Sequence, residues 1–178
     1  KNILQGENRI SNFVGYTTPT IRKGFSATFN AIKGTSDQHK NKIGDSKSYS
    51  LNYKNKSFYA GIAIDLDVKG YDSNRFSLQI PLNKTQIGII YQDSKKLSNG
   101  SEESGFVTSF SRKITEKGTV KIQIAESDSK IISRKQLSLG YDYKFNKNTK
   151  FFFFFTDFSG DQDFKEKDIS ALGFEYKF

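Results

Sequence analysis

Few residues in this chain could carry reaction chemistry, and they lie far apart. His39 is the only histidine and sits in a loop rich in Gly, Lys and Asp, so a histidine triad or a histidine metal centre lacks a second member. Cysteine is absent, which removes disulfides, thiolate catalysis and Cys-ligated metals. Asp65 and Asp67 stand two apart on one expected strand face, the spacing of a carboxylate pair. No base accompanies them, and carboxylates lining a wet surface account for them equally. Asp161, Asp163 and Glu166 share one loop, which suits either a divalent ion or plain solvation. These patterns predict no enzyme, no cofactor and no resident metal. The rest of the charge is basic, with a net +9 and 15% aromatics, a balance that nucleic-acid binders also show. Here the lysines scatter through turns and strand ends, as at Lys23, Lys54, Lys56, Lys84, Lys117 and Lys147, and form no stripe. No nucleic-acid partner is expected. Such charge suits a solvated surface, or a wet wall that favours anions.

Strands must position these residues. Apolar and polar side chains alternate with period two from one end to the other, the pattern of a strand with two unlike faces. Phe25, Ala27, Phe29 and Ala31 alternate with Ser26, Thr28 and Asn30; Ile62, Ile64 and Leu66 with Gly61, Ala63 and Asp65; Leu137, Leu139, Tyr141 and Tyr143 with Gln136, Ser138, Gly140 and Asp142. Counted from Arg9–Thr17 to Asp168–Phe178, the chain holds about eleven strands of ~8–11 residues, the ~9–11 a tilted strand needs to cross a bilayer. Only 35% of residues are hydrophobic, and no run approaches the ~20 apolar residues of a membrane-spanning helix. Membrane barrels escape that test, because lipid-facing and water-facing residues alternate. Phe151–Phe155 is a run of five Phe, so alternation sends some rings to each face.

Connections are expected to alternate in length. Short turns fall at Thr18–Lys23, Lys54–Lys56, Asn83–Lys84, Thr115–Lys117 and Asn146–Asn148. Longer polar loops fall at Lys33–Lys47, Lys69–Asn74, Asp93–Ser104, Ser127–Ser133 and Ser159–Lys167. Transmembrane barrels have short periplasmic turns and longer extracellular loops, so the two sets sort to opposite membrane sides. Both the first and the last strand then run toward the short-turn side. An odd strand count does not close a single-chain bacterial barrel, so further strands are expected upstream. With no Met in the sequence, residue 1 is expected to follow a cleavage or another segment.

Three stretches carry a resemblance. The ending Leu172-Gly173-Phe174-Glu175-Tyr176-Lys177-Phe178 resembles the β-signal that ends outer-membrane proteins, with aromatics at alternate positions and a terminal Phe. Arg9-Ile10-Ser11-Asn12-Phe13-Val14-Gly15-Tyr16-Thr17-Thr18-Pro19, followed by Lys23-Gly24-Phe25-Ser26, is similar to a segment of Gram-negative general porins. There it forms the strand after the constriction loop, a periplasmic turn and the next strand. Leu139-Gly140-Tyr141-Asp142-Tyr143-Lys144-Phe145-Asn146-Lys147-Asn148-Thr149 resembles the hairpin near the porin C-terminus, with Asn146 and Asn148 in place of the usual Ser and Arg.

The resemblance implies an all-β fold: a transmembrane antiparallel up-and-down barrel of sixteen strands, of which this chain carries the sixth to the sixteenth. It implies one barrel domain over residues 1–178, lacking the first strands and the constriction loop. The function implied is passive diffusion of small hydrophilic solutes and ions through an outer-membrane channel. The implied partners are the lipid bilayer, lipopolysaccharide, the barrel-assembly machinery and two further copies in a homotrimer. With polar residues inward, Arg9, Arg75, Lys121 and Lys144 are the candidate basic wall residues, opposed by Asp65, Asp67, Asp142 and Glu175. Gly173, Phe174, Tyr176 and Phe178 are the candidate assembly signal. A mild anion preference is expected. Two other classes remain open: a plugged adhesin, receptor or structural barrel, and a soluble basic all-β binding protein.

Overall fold

Alternation of the kind seen in Leu137–Lys144 builds a sheet and nothing else. The computed structural model describes Leu4 and residues 9–21, 24–34, 42–128, 135–160 and 167–178. Its elements are β1 (Phe13–Thr17), β2 (Phe25–Lys33), β3 (Ile43–Lys54), β4 (Tyr59–Val68), β5 (Tyr71–Leu82), β6 (Thr85–Lys96), β7 (Glu102–Lys113), β8 (Gly118–Ser127), β9 (Lys135–Lys144), β10 (Thr149–Ser159) and β11 (Lys167–Tyr176). They form one 11-stranded sheet in sequence order, each strand antiparallel to the last. Among the described residues β1 and β11 each have one neighbour, so the sheet is open at both edges.

Turn chemistry fixes the register. Asn83 adopts φ 52° in the Asn83–Lys84 link between β5 and β6. Elsewhere on the same side, one polar side chain closes the turn by accepting two backbone N–H groups. Asn55 Oδ1 accepts from Ser57 at 2.7 Å and Phe58 at 2.8 Å; Asn146 Oδ1 accepts from Asn148 and Thr149, both at 2.8 Å. Thr115 Oγ1 does the same for Lys117 and Gly118. These are Asx and Ser/Thr turns, and they explain why Asn and Thr stand there.

The expected alternation of loop lengths holds only in part. The link between β4 and β5 is Lys69–Gly70 alone, not a loop to Asn74. Lys69 at φ 54° and Gly70 at φ 80° give the twin positive φ of a tight hairpin, which Gly permits without steric cost. The first strand is also shorter than Arg9–Thr17: pairing begins at Phe13, and Asn12 lies outside it at φ 57°.

Burial is inverted relative to a water-soluble protein. The buried apolar residues among those described are Leu4, Ile32, Val68 and Ala125, whereas Ile62, Leu139, Phe153 and Leu172 are exposed on one face. Ser138, Gly140 and Asp142 on the other face are partly covered, although small and polar. A broad exposed apolar surface is stable only against an apolar solvent. Aromatic pairs edge that surface near the short turns: Phe25–Tyr53 with ring centroids 4.6 Å apart, Tyr53–Phe58 at 5.3 Å and Phe145–Phe151 at 6.2 Å. Girdles of this kind flank the lipid-facing band of membrane barrels. The other face is called the inner face below.

Candidate functional site

Register brings charges from four neighbouring strands together on the inner face. Lys121 of β8 stands opposite Gly140 of β9, which has no side chain to obstruct it. It therefore reaches diagonally to Asp142, and Nζ donates to Oδ2 at 2.6 Å. Lys150 of β10 lies opposite both Lys144 and Glu175. Its Nζ is 2.9 Å from Glu175 Oε2 and 3.7 Å from Asp142 Oδ2, while Lys177 reaches the other Glu175 oxygen at 3.4 Å. The result is a ladder, Lys121–Asp142–Lys150–Glu175–Lys177, across the short-turn end of the sheet. Side-chain exposure along it runs from 19% at Asp142 to 75% at Lys177, so the charges at its two ends stay hydrated. Lys144 adds positive charge beside Lys150, and no ion pair to it is found among the described residues.

A second group occupies β4–β6. Arg75 lies between Ala63 and Gln92, and its Nε donates to Gln92 Oε1 at 2.7 Å. Gln92 Nε2 donates in turn to Ser94 Oγ at 2.8 Å, and Ser94 and Ser73 share a hydroxyl hydrogen bond of 2.9 Å. The chain holds Arg75 flat against the wall with its charge on the inner face. Asp65 is on the same face, between Ser48 and Ser73.

Two sequence expectations are corrected. Asp65 and Asp67 do not share a strand face: the register shifts between Asp65 and Val68, and Asp67 turns to φ 53°. Asp67 is buried at this bulge, its N–H donating to Asp72 Oδ1 at 2.8 Å and its carbonyl accepting from Ser46 Oγ at 2.6 Å. A bulge breaks the period-two rule, so spacing alone misplaces the residue. Arg9 belongs to no strand, and its carbonyl accepts from Lys69 Nζ at 3.4 Å near the β4–β5 turn. His39, Asp161, Asp163 and Glu166 lie outside the described residues. Among the described residues, no group of three or more His, Cys, Asp or Glu could hold a metal ion.

Lys150 was missed in the sequence, although the turn at Asn146–Asn148 sets it opposite Lys144 and so on the inner face. The Phe run splits as alternation requires: Phe151, Phe153 and Phe155 pair outward with Tyr143, Tyr141 and Leu139, whereas Phe152 and Phe154 pair inward with Asp142 and Gly140. Phe152 lies over Gly173, where a Cβ would come 2.5 Å from its ring, and Lys150 Nζ is 5.9 Å from its centroid. Phe174 and Tyr176 face outward on β11, opposite Phe151 and Thr149, with Phe178 exposed beyond the strand end.

An antiparallel meander with a lipid-ready outer face, a charged inner face and aromatic pairs at the rim defines a transmembrane β-barrel wall of the outer-membrane class. The chain belongs to the Gram-negative porin family, whose model matches residues 2–163. Among solved structures it is similar to an anion-selective porin from Comamonas acidovorans, with 20% identity and a TM-score of 0.69 over 97% of this chain and 61% of that one. It is also similar to a porin refined at 1.8 Å resolution, with 13% identity and a TM-score of 0.73 over 100% of this chain and 66% of the other. The chain thus spans about two thirds or less of those porins. No curated protein sequence matches it. The fold and family are those of channel proteins of the bacterial outer membrane.

Proposed function

We propose that this chain forms most of the wall of a water-filled outer-membrane channel, through which small hydrophilic solutes and ions diffuse without a binding step. The observation that carries this reading is the chemistry of the inner face. Gly61, Ser77, Gly88, Ser109, Gln123, Ser138 and Gly140 line its middle, small or polar and suited to water rather than to a packed plug. Residues 1–178 act as one barrel domain, and the open edges at β1 and β11 support closure with further strands into a larger ring of about sixteen.

The channel prefers anions mildly. Lys54, Arg75, Lys113, Lys121, Lys144 and Lys150 outnumber Asp65, Glu103, Asp142 and Glu175 on the inner face, and rings of like charge bias which ion enters. That one similar solved porin is described as anion-selective agrees in direction. Gly173, Phe174, Tyr176 and Phe178 serve assembly through the barrel-insertion machinery, and the finished protein is a homotrimer in contact with lipopolysaccharide. The test is a planar bilayer recording of the full natural protein. Discrete current steps with a reversal potential shifted toward the anion support the proposal. Silence sinks it in favour of a plugged barrel, and clear cation selectivity removes the anion preference.

A further inference from the structure

The run of five phenylalanines in β10 leaves two rings on the inner face, and packing accounts for only one of them. Phe152 lies over Gly173, with the Lys150 ammonium near its ring. Phe154 stands between Gly140 and Ala171, is 37% exposed, and stacks on no other ring among the described residues. Its ring is open to whatever fills the inner side.

Register sets a bay beside that ring. One row across β7 to β10 reads Ser111, Lys121, Gly140 and Phe154, all on the inner face. Neighbouring strands lie ~4.8 Å apart, so the backbones carrying Lys121 and Phe154 are about 10 Å from each other, with a bare floor between them. The backbone does not require glycine there. Gly140 is not among the residues of positive φ, and a Cβ on it would meet only ordinary contacts, 3.6 Å from Lys121 Cβ and 3.9 Å from Phe154 Cβ. Glycine inside a strand costs stability and marks a place where something approaches closely. The cavity over Gly140 measures about 430 Å³, and Gln86, Ser109, Gln123 and Thr156 complete its lining. Small-molecule sites run from ~300 to ~1,000 Å³.

The two sides of the bay suit different parts of one ligand. Phe154 offers its face or edge to a planar ring. Lys121 carries three N–H donors, gives one to Asp142 at 2.6 Å and keeps the others for an anion. Asp142 is shared between Lys121 and Lys150, so the charge at that side stays positive. The hydroxyls at the opposite rim are already engaged: Ser138 and Thr156 bond each other at 2.9 Å, and Gln136 donates to Ser138 at 2.7 Å. A sugar would need those groups, whereas a ring bearing one carboxylate does not. We propose that this bay binds small planar aromatic carboxylates, with the ring on Phe154 over Gly140 and the carboxylate on Lys121. The inference rests on the channel reading above and adds one solute class that pauses at the wall; solutes without a ring still pass unbound.

The test uses the full natural protein in planar bilayers, with benzoate as the probe and acetate as the control. In chloride, millimolar benzoate should lower the unitary current along a saturable curve, and acetate should not. Phe154→Ala and Gly140→Leu should each raise the half-blocking concentration about fivefold, the first by removing the ring contact and the second by filling the floor. Phe154→Tyr, which keeps a ring, should block like the parent, and heat-modifiable gel mobility checks that every variant has assembled. Benzyl alcohol, a neutral ring of similar size, should block about fivefold more weakly than benzoate. Equal block by acetate, or half-blocking concentrations that Phe154→Ala and Gly140→Leu leave unchanged, overturns the bay. Equal block by benzyl alcohol overturns the part given to Lys121. A silent parent protein refutes the channel reading instead. Broadening of the fluorine signal of 4-fluorobenzoate by the protein refolded in detergent, lost in Phe154→Ala, then decides the bay, and a signal that neither protein broadens overturns it.

Discussion

Replacing Asp142 with Asn is the most direct probe of the charged wall. The substitution removes one negative charge and leaves Lys121, formerly 2.6 Å away, and Lys150, formerly 3.7 Å away, without that counter-ion. An ion passing on the order of 7 Å from the wall then feels one extra positive unit, about 0.6 kcal/mol in water before screening. At 0.15 M salt the Debye length of about 8 Å reduces this to roughly 0.25 kcal/mol. Anions become about 1.5-fold richer at that point and cations poorer by the same factor, so the anion-to-cation permeability ratio rises about twofold. At 0.01 M the Debye length is about 30 Å, the energy recovers to roughly 0.5 kcal/mol and the ratio rises about fivefold. Lys121→Gln should move the ratio the other way. Folding stability should fall by no more than about 1 kcal/mol, because Asp142 is 19% exposed but its partner Lys121 is 50% exposed. Reversal potentials under a salt gradient at the two ionic strengths read the effect. A ratio that stays constant, moves toward cations, or shows no growth at low salt would mean that this face does not line the conducting path.

Three further outcomes follow from the geometry. Phe153→Arg, on the outer face between Tyr141 and Leu172, should cost about 2 kcal/mol of folding stability in lipid, whereas Phe154→Ser on the inner face should cost far less; urea titration in vesicles compares them, and equal costs would contradict the face assignment. Gly70→Val, at φ 80° in the Lys69–Gly70 turn, should lower stability by about 1–2 kcal/mol in the same titration with no change in unitary current. Deleting Phe178, which is exposed beyond β11, should lower the yield of assembled barrel in cells, measured by heat-modifiable gel mobility, while barrels that do form conduct normally.

Much of the fold was legible because alternation is a global rule. Eleven strands were counted and eleven form, in sequence order, and the inner positions of Arg75, Lys121, Asp142 and Lys144 follow from parity alone. Parity fails where the backbone departs from it. Asp67 was misplaced because a bulge shifts the count, and Arg9 because its alternation continues past the point where pairing stops. The Lys69–Asn74 stretch reads as a loop from its polar composition, yet Asp72 and Asn74 lie in β5, since a strand end outside the apolar band tolerates them. The burial of Leu4 against Ala125 was invisible for a different reason. A contact between an edge-strand neighbour and β6–β8 leaves no periodic trace in the sequence.

The same physics separates what makes this wall stable from what would make the proposed channel selective. Stability comes from ladder hydrogen bonds along every strand pair and from an outer face matched to lipid, and both tolerate any inner side chain that can be hydrated. Every pair of the Lys121–Lys177 ladder has at least one partner a third or more exposed, so each adds little to folding and its charges can change without loss of the barrel. Their effect on an ion is felt through the field, which adds over all the wall residues and is only partly screened. In the proposed channel, one substitution on the inner face would therefore redirect ion preference at little structural cost, whereas one on the outer face is limited by the membrane. Fold is legible at low identity for this reason, and in the proposed channel ion preference would depend on individual lysines and carboxylates: Asp142 and Glu175 moderate a wall that Lys121, Lys144 and Lys150 would otherwise make strongly basic.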